Sequence, residues 1–210
     1  MRKLRFKPNA HPGKLITFCG LDGCGKTTLI QRLKPYLTER GIPLELTKQP
    51  TDAVRQSTIF RTYMDCENHD GYEYLSLSLL AAGDRVQHTN QVIAPWLAEG
   101  KTVISDRYFY SCLANLHARS YKNAQWIYEI SEYIIRPDIA FFLEIDADTA
   151  VRRVRARNAE KNRYIDMDLQ YALHEEYLEI AKLNGGVIIP TDKSEEESFR
   201  LICRAVDAMY

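Results

Sequence analysis

Surplus charge of either sign is missing from this chain: 28 Lys and Arg are matched by 28 Asp and Glu over 210 residues. Such a balance argues against a protein that works by coating nucleic acid or anionic lipid, and any anion it binds must be held by groups placed locally. Cysteine is sparse. The five present, Cys19, Cys24, Cys66, Cys112 and Cys203, form no CxxC pair and no Cys/His cluster with zinc spacing. Reduced thiols in a cytoplasmic protein are therefore expected. No apolar run reaches the ~18 residues a membrane helix needs. Residues 1–13 are basic and lack the apolar stretch of a secretory signal, so they read as a short arm without order of its own. Internal repeats and low-complexity tracts are absent. A chain of this length buries roughly 70% of its unfolded surface and holds a core without disulfides or metal, which predicts one domain over 14–210.

Short apolar runs alternate with longer amphipathic ones, the pattern of a parallel α/β sheet. Strands are expected at Leu15–Cys19, Pro43–Lys48, Lys101–Asp106, Pro137–Ile145 and Val187–Pro190. Helices are expected over Lys26–Arg40 with a kink at Pro35, and over Asp70–Gly100 with a break near Gly83 or Pro95. Further helices are expected within Tyr110–Arg136, broken near Ser120, and over Thr149–Arg157, Leu169–Leu183 and Glu195–Met209. Gln49–Asp52 reads as a loop and Asn158–Asp168 as a polar loop. Ligands of such a sheet bind at the carboxyl ends of its strands.

One motif is specific. Gly20-Leu21-Asp22-Gly23-Cys24-Gly25-Lys26-Thr27 matches GxxxxGK[ST] in full and lies between a predicted strand and a predicted helix. Its glycines let backbone N–H groups approach phosphate oxygens, and the next helix aims its positive end at the same point. Lys26 reaches the β- and γ-phosphates of a nucleoside triphosphate, and the Thr27 hydroxyl suits Mg²⁺. Cys24 sits inside this loop, where a thiol pKa can fall and a redox switch can arise; a small residue tolerated in the loop is the plainer alternative. A guanine-reading NKxD segment is absent, which argues against a GTPase. The small size and the arginine-rich stretch before a polar loop suit a small-molecule kinase that closes a basic lid over its donor to exclude water.

Further segments resemble the thymidylate kinase family from about Lys14 to Tyr210. Beyond the phosphate loop Phe18–Thr28, these are Asp106-Arg107-Tyr108 with Ser111, similar to DRYxxS; Ala82-Gly83-Asp84-Arg85 with His88, similar to AADRxxH; and Arg136-Pro137-Asp138-Ile139, similar to RPDL. The resemblance implies an α/β, three-layer P-loop kinase sandwich: a five-stranded parallel sheet, helices on both faces and a short lid at about 153–168. It implies ATP as donor, Mg²⁺ as cofactor, a nucleotide acceptor with dTMP first, no nucleic-acid or membrane partner, and a homodimer. Tyr72, Tyr74, Leu75, Leu77, Leu79 and Leu80 are candidates for its interface or for the intrachain core.

Site roles follow from the same resemblance. Gly20, Asp22, Gly23, Cys24, Gly25, Lys26, Thr27 and Thr28 would cradle ATP, with Thr27 and Asp106 at the metal. Asp22 would accept from the acceptor's 3′-hydroxyl, Arg107 would hold its phosphate, and Arg85 would face its base. Gln49, Tyr108, Ser111 and Asn115 complete the expected acceptor site. Gly23 follows Asp22 where some members carry Arg, so the catalytic arginine would come from the lid: Arg153, Arg157 or Arg163, with Arg155 and Lys161 nearby. Arg153 and Arg157 are four apart and would share one helix face. Lys26, Arg107, Asp106 and these lid arginines form the expected catalytic set. They would need no general base, because a phosphate monoester with a second pKa near ~6 is already anionic at neutral pH.

The acceptor side departs from the family pattern. Ala81 stands where an aromatic usually stacks on thymine, and Asn115 stands where an aromatic usually crowds the sugar 2′ position. Gln49 replaces Glu before Pro50, and Ile165 follows Arg163-Tyr164 in place of Glu. Phe60, Tyr63 or Phe109 are candidates for a replacement ring. A different nucleotide or small phosphorylated acceptor therefore competes with dTMP, and a nucleotide-binding regulator without turnover is a third expectation.

Overall fold

A computed structural model describes residues 2–161 and 163–210. Five parallel strands form one sheet in the order β2-β3-β1-β4-β5. They are β1 (Leu15–Cys19), β2 (Leu44–Lys48), β3 (Thr102–Asp106), β4 (Ile139–Glu144) and β5 (Val187–Pro190). β1 is buried throughout, as a central strand covered on both faces should be. Its register pairs Phe18 with Asp106 on β3 and Cys19 with Phe142 on β4, so both neighbours deliver their carboxyl ends beside the phosphate loop.

The helices are α1 (Lys26–Thr38), α2 (Asp52–Arg55), α3 (Thr58–Asp65), α4 (Tyr74–His88), α5 (Ala94–Ala98), α6 (Tyr110–Ala118), α7 (Trp126–Ile130), α8 (Ala147–Arg155), α9 (Met167–Asn184) and α10 (Glu195–Asp207). α1 carries Pro35 inside it. α4 runs through Gly83 without a break. The interruption is a π-helical turn at Thr89–Ile93, after which Pro95 falls in the first turn of α5, where a missing N–H costs nothing. Two short helices, α2 and α3, occupy a stretch that carried no sequence assignment beyond the Gln49–Asp52 loop. The signal for α3 is Ser57, whose hydroxyl caps it by accepting from Phe60 N–H.

Two expectations are corrected. α8 stops at Arg155 and Arg157 takes an extended conformation, so Arg153 and Arg157 share no helix face. The apolar stripe that holds α8 down, Val151 and Val154, has no apolar successor one turn on at Asn158. The basic arm is also ordered. Leu4 is buried, its N–H donates to Asn184 Oδ1 at 3.0 Å, and Lys7 bridges Ile135. Phe6 packs against Tyr108, Phe109 and Tyr110, and this aromatic contact outweighs the solvation of the flanking lysines and arginines. The RPDI segment serves this corner: Asp138 Oδ2 accepts from Leu15 N–H and Asn9 Nδ2, both at 2.8 Å.

Candidate active site

The phosphate loop folds as its motif demands. Gly23 and Gly25 hold φ of 87° and 97°, and Gly25 caps α1. A Cβ on Gly23 would lie 2.1 Å from the Ala150 carbonyl, so α8 packs on the loop only because that atom is missing. A Cβ on Gly25 would meet nothing within 4 Å, which leaves backbone N–H groups facing an open cradle at the start of α1. Thr27 and Thr28 are exposed there and their hydroxyls have no partner among the described residues. Lys26 is buried, and its Nζ donates to the carbonyls of Gly20 (3.0 Å) and Leu21 (2.7 Å). Cys24 is fully buried, with Sγ 3.6 Å from Lys26 Nζ.

Asp22 is the hub of the charged cluster. Its Oδ1 accepts from Arg107 Nη2 at 2.5 Å and its Oδ2 from Arg163 Nη2 at 3.2 Å. Burial works against its ionisation, but the charges of Arg107, Lys26 and Arg163 hold the carboxyl well below the usual carboxylate range. Arg163 also pairs with Glu160 at 3.3 Å, and its buried Nε has no hydrogen-bond partner among the described residues. Burial likewise opposes the charge on Arg107, yet Tyr177, Asp22 and Asp106 keep its pKa well above the ordinary value.

Asp106 ends β3. Its Oδ1 is buried without a hydrogen bond among the described residues, while Oδ2 lies 3.7 Å from Lys48 Nζ. A buried carboxylate oxygen left unpaired is costly unless something cationic or a donor meets it. A magnesium ion suits that atom, since it takes one or two carboxylates, a hydroxyl and substrate phosphates rather than a full protein cage. The described residues contain no cluster of three or more His, Cys, Asp or Glu that would hold a metal by themselves.

The structure brings together Gly20, Asp22, Lys26, Arg107 and Arg163, with Asp106 beside them on β3. It keeps other expected residues apart. Arg153 turns its Nη2 to the Thr191 carbonyl at 3.1 Å, on the β5 side of the loop. Arg157 is exposed and pairs with no described residue. Asn162, inside the expected lid, lies outside the described residues. Tyr108 is fully buried, its hydroxyl on the Ile135 carbonyl at 2.7 Å. Gln49 is also buried, its Nε2 3.1 Å from His88 Nδ1, while Thr47 Oγ1 lies 2.9 Å from His88 Nε2. Arg85 is buried and donates to the Ala81 and Tyr108 carbonyls at 2.8 and 3.4 Å. Asn115 Nδ2 donates to the Ser111 carbonyl at 2.9 Å, and its Oδ1 accepts from Arg119 at 2.9 Å.

Sequence reasoning missed three groups. Arg55 of α2 donates to the Pro50 carbonyl at 2.7 Å and to the Gln49 carbonyl at 3.4 Å. Burial, and then Arg107, lower its pKa, so it belongs to the same cationic field. Met64 of α3 contacts Arg163 at 3.9 Å, which brings α3 to the charged cluster. Tyr177 of α9 accepts from Arg107 Nη1 at 3.0 Å. Nothing local in the sequence distinguishes Tyr177 from a core tyrosine. Of the candidate replacement rings, Phe109 is fully buried, while Tyr63 stacks beside His69 and Tyr74. Arg119 covers the Tyr74 ring at 4.0 Å.

A phosphate-binding loop on a 2-3-1-4-5 parallel sheet, with Arg107 at the neighbouring strand end and Arg163 from the loop before α9 meeting at one carboxylate, defines a P-loop phosphotransferase. Comparison with known proteins narrows this. The family model described as thymidylate kinase matches residues 18–202. A probable thymidylate kinase of Pyrococcus horikoshii is 35% identical over 81% of this chain and 84% of its own length. That of Thermococcus kodakarensis is 34% identical over 80% and 84%, and the thymidylate kinase of Desulfotalea psychrophila is 33% identical over 72% and 73%. The chain belongs to the thymidylate kinase family.

Proposed function

We infer that this chain transfers the γ-phosphoryl group of ATP to dTMP, giving dTDP and ADP. The observation that carries the reading is the meeting of Arg107 and Arg163 on Asp22 beside the phosphate loop. The bond between the γ-phosphorus and its bridging oxygen breaks. A new bond joins that phosphorus to an oxygen of the acceptor phosphate, and the electron pair leaves with ADP. Two anions must be brought together, so the protein's task is positioning and charge neutralisation.

The loop from Gly20 to Thr28 would bind the triphosphate, with the Lys26 ammonium turning from its two carbonyls to phosphate oxygens. Arg107 and Arg55 would receive the acceptor phosphate. Asp22 would exchange an arginine for the acceptor 3′-hydroxyl, which frees Arg163 to face the transferring group as the lid's catalytic arginine. Arg153 and Arg157 stand farther out and would serve the donor or the lid surface. Asp106 and Thr27 would hold Mg²⁺, which when bound neutralises phosphate charge and orients the triphosphate. Arg85, Ser111 and Asn115 would line the base and sugar side, Arg85 from beneath. Tyr108 and Gln49 would act by supporting backbone, since their side chains lie in the core.

The reading extends to a homodimer. α4 leaves Leu79 at 45% and Leu80 at 44% exposed, with open space over Gly83 between them and the helix end. An apolar helix stripe of this kind is what a second copy would cover. Leu77, by contrast, is core. A cytoplasmic location accords with cysteines that are all free. No helix among the described residues is long and apolar enough to cross a membrane.

The test is coupled ADP release from purified protein with ATP, Mg²⁺ and a panel of ribo- and deoxynucleoside monophosphates. The expected result is dTMP turnover at a kcat/KM of about 10⁴ M⁻¹s⁻¹ or more. Transfer to no member of the panel, or to another nucleotide in clear preference to dTMP, overturns the reading.

A further inference from the structure

The position of Arg107 along the chain does not account for the aim of its guanidinium. Arg107 leaves β3 with φ of 68°, the left-handed region that residues bearing a Cβ seldom occupy. Its backbone is pinned there: the N–H donates to the Phe18 carbonyl at 2.8 Å, and the carbonyl accepts from Ser105 Oγ at 2.6 Å. The side chain then turns back across the phosphate loop. Nη2 goes to Asp22, and Nη1 is divided between the Gly20 carbonyl at 3.3 Å and the Tyr177 hydroxyl at 3.0 Å.

These partners differ in kind. Asp22 is shared with Arg163 and is half-exposed, so an arriving ligand can reach it and compete for its oxygens. Tyr177 is 5% exposed, with its ring edge-on to Phe142 of β4. Its hydroxyl donates to Ser111 Oγ at 3.1 Å. A phenol has one proton, so with that proton on Ser111 its lone pair faces Arg107. The two helices that carry Tyr177 and Ser111 pack on each other, and one residue earlier on α9 the buried Glu176 lies 3.3 Å from His117 of α6 and 3.1 Å from Lys122 in the loop beyond it.

We propose that Tyr177 is a positioning residue for the transfer reaction: its hydroxyl, oriented by Ser111, holds the Arg107 guanidinium toward the acceptor phosphate while Asp22 and Arg163 rearrange around the substrate. The inference rests on the acceptor role given to Arg107 above. It takes no part for Tyr177 in bond making.

Tyr177→Phe keeps the ring and removes one oxygen. The KM for dTMP should rise about tenfold, the size expected when a hydrogen bond to a charged group is lost. The KM for ATP and the Tm should stay close to wild type. In an Arg107→Ala background the same change should add nothing to the dTMP KM, since the group it positions is gone. A packing role alone would lower Tm and move both KM values together, and an equal effect in the Arg107→Ala background would show that Tyr177 acts elsewhere; either result overturns the proposal. A crystal structure of ligand-free Tyr177→Phe should show the guanidinium displaced from Gly20, and an unmoved guanidinium also overturns it. Wild-type protein that fails to phosphorylate dTMP would remove the functional reading, while this crystal structure would still decide the positioning role.

Discussion

On the function proposed above, the donor half and the acceptor half of the cleft are built by different means. The donor half is almost entirely backbone: Gly23 and Gly25 at positive φ, the start of α1, and one lysine folded onto carbonyls within its own loop. The acceptor half is side chains gathered from separate segments: Asp22 from the loop, Arg55 from α2, Met64 from α3, Arg107 after β3, Arg163 before α9 and Tyr177 within it. A backbone site depends on a local run of residues and tolerates little variation. A side-chain site can be rebuilt piece by piece, and Ala81, Gln49 and Asn115, where the sequence differs from the pattern it resembles, all fall on the proposed acceptor side.

The largest effect should follow from the lysine of the phosphate loop. Lys26→Ala should lower phosphoryl transfer by ~10³-fold or more, as loss of a phosphate clamp does, with Tm and circular dichroism near wild type. Activity within tenfold of wild type would mean that the loop is not where the triphosphate sits. Next come the lid arginines, which the structure separates. Arg163→Ala should reduce kcat by ~10²-fold or more, whereas Arg153→Ala should raise the KM for ATP by less than about tenfold. The reverse order in steady-state kinetics would transfer the lid role to the β5 side.

Asn115→Tyr sharpens the acceptor half. It restores a ring beside the sugar and should raise the preference for dTMP over its ribo-counterpart by about tenfold, read as a ratio of kcat/KM values. An unchanged ratio would show that Asn115, tied to Arg119 and the Ser111 carbonyl, does not face the sugar. The smallest effect concerns pH. Burial holds His88 and His117 below the ordinary histidine value of 6.5 despite acidic neighbours. The unfolded chain therefore binds protons that the folded one refuses, and stability present above pH 6.5 should fall as the pH drops below it. A decrease in Tm of a few degrees between pH 7 and 5 is expected. Both histidines lie on α4 and α6 of the acceptor half, so affinity for ATP should stay flat over that window by calorimetry, and a parallel loss would erase the distinction between the halves.

Legibility follows the same division. Five strands and the glycine loop are readable because each is announced within a few residues, whereas the sequence left Arg153, Arg157 and Arg163 as alternatives and only the structure brings Arg163 to Asp22. The end of α8 at Arg155 is less so, because helix length there depends on whether an apolar stripe continues. The order of the arm is not legible, because basic composition says nothing about Phe6 finding three aromatic rings. The loss of Tyr108 and Gln49 to the core has a related cause: a motif gives the order of residues and not the side of the backbone each one faces.

Alternating hydrophobicity and one octapeptide were enough to determine a parallel sheet with a phosphate cradle at its carboxyl edge, because strand period, glycine conformation and helix polarity are local properties. Which cations meet at Asp22, and that a tyrosine 70 residues beyond Arg107 steadies its guanidinium, was decided only in three dimensions. Such contacts join segments whose spacing along the chain is unrelated to their distance in space, and their energies depend on burial that no local run of residues encodes.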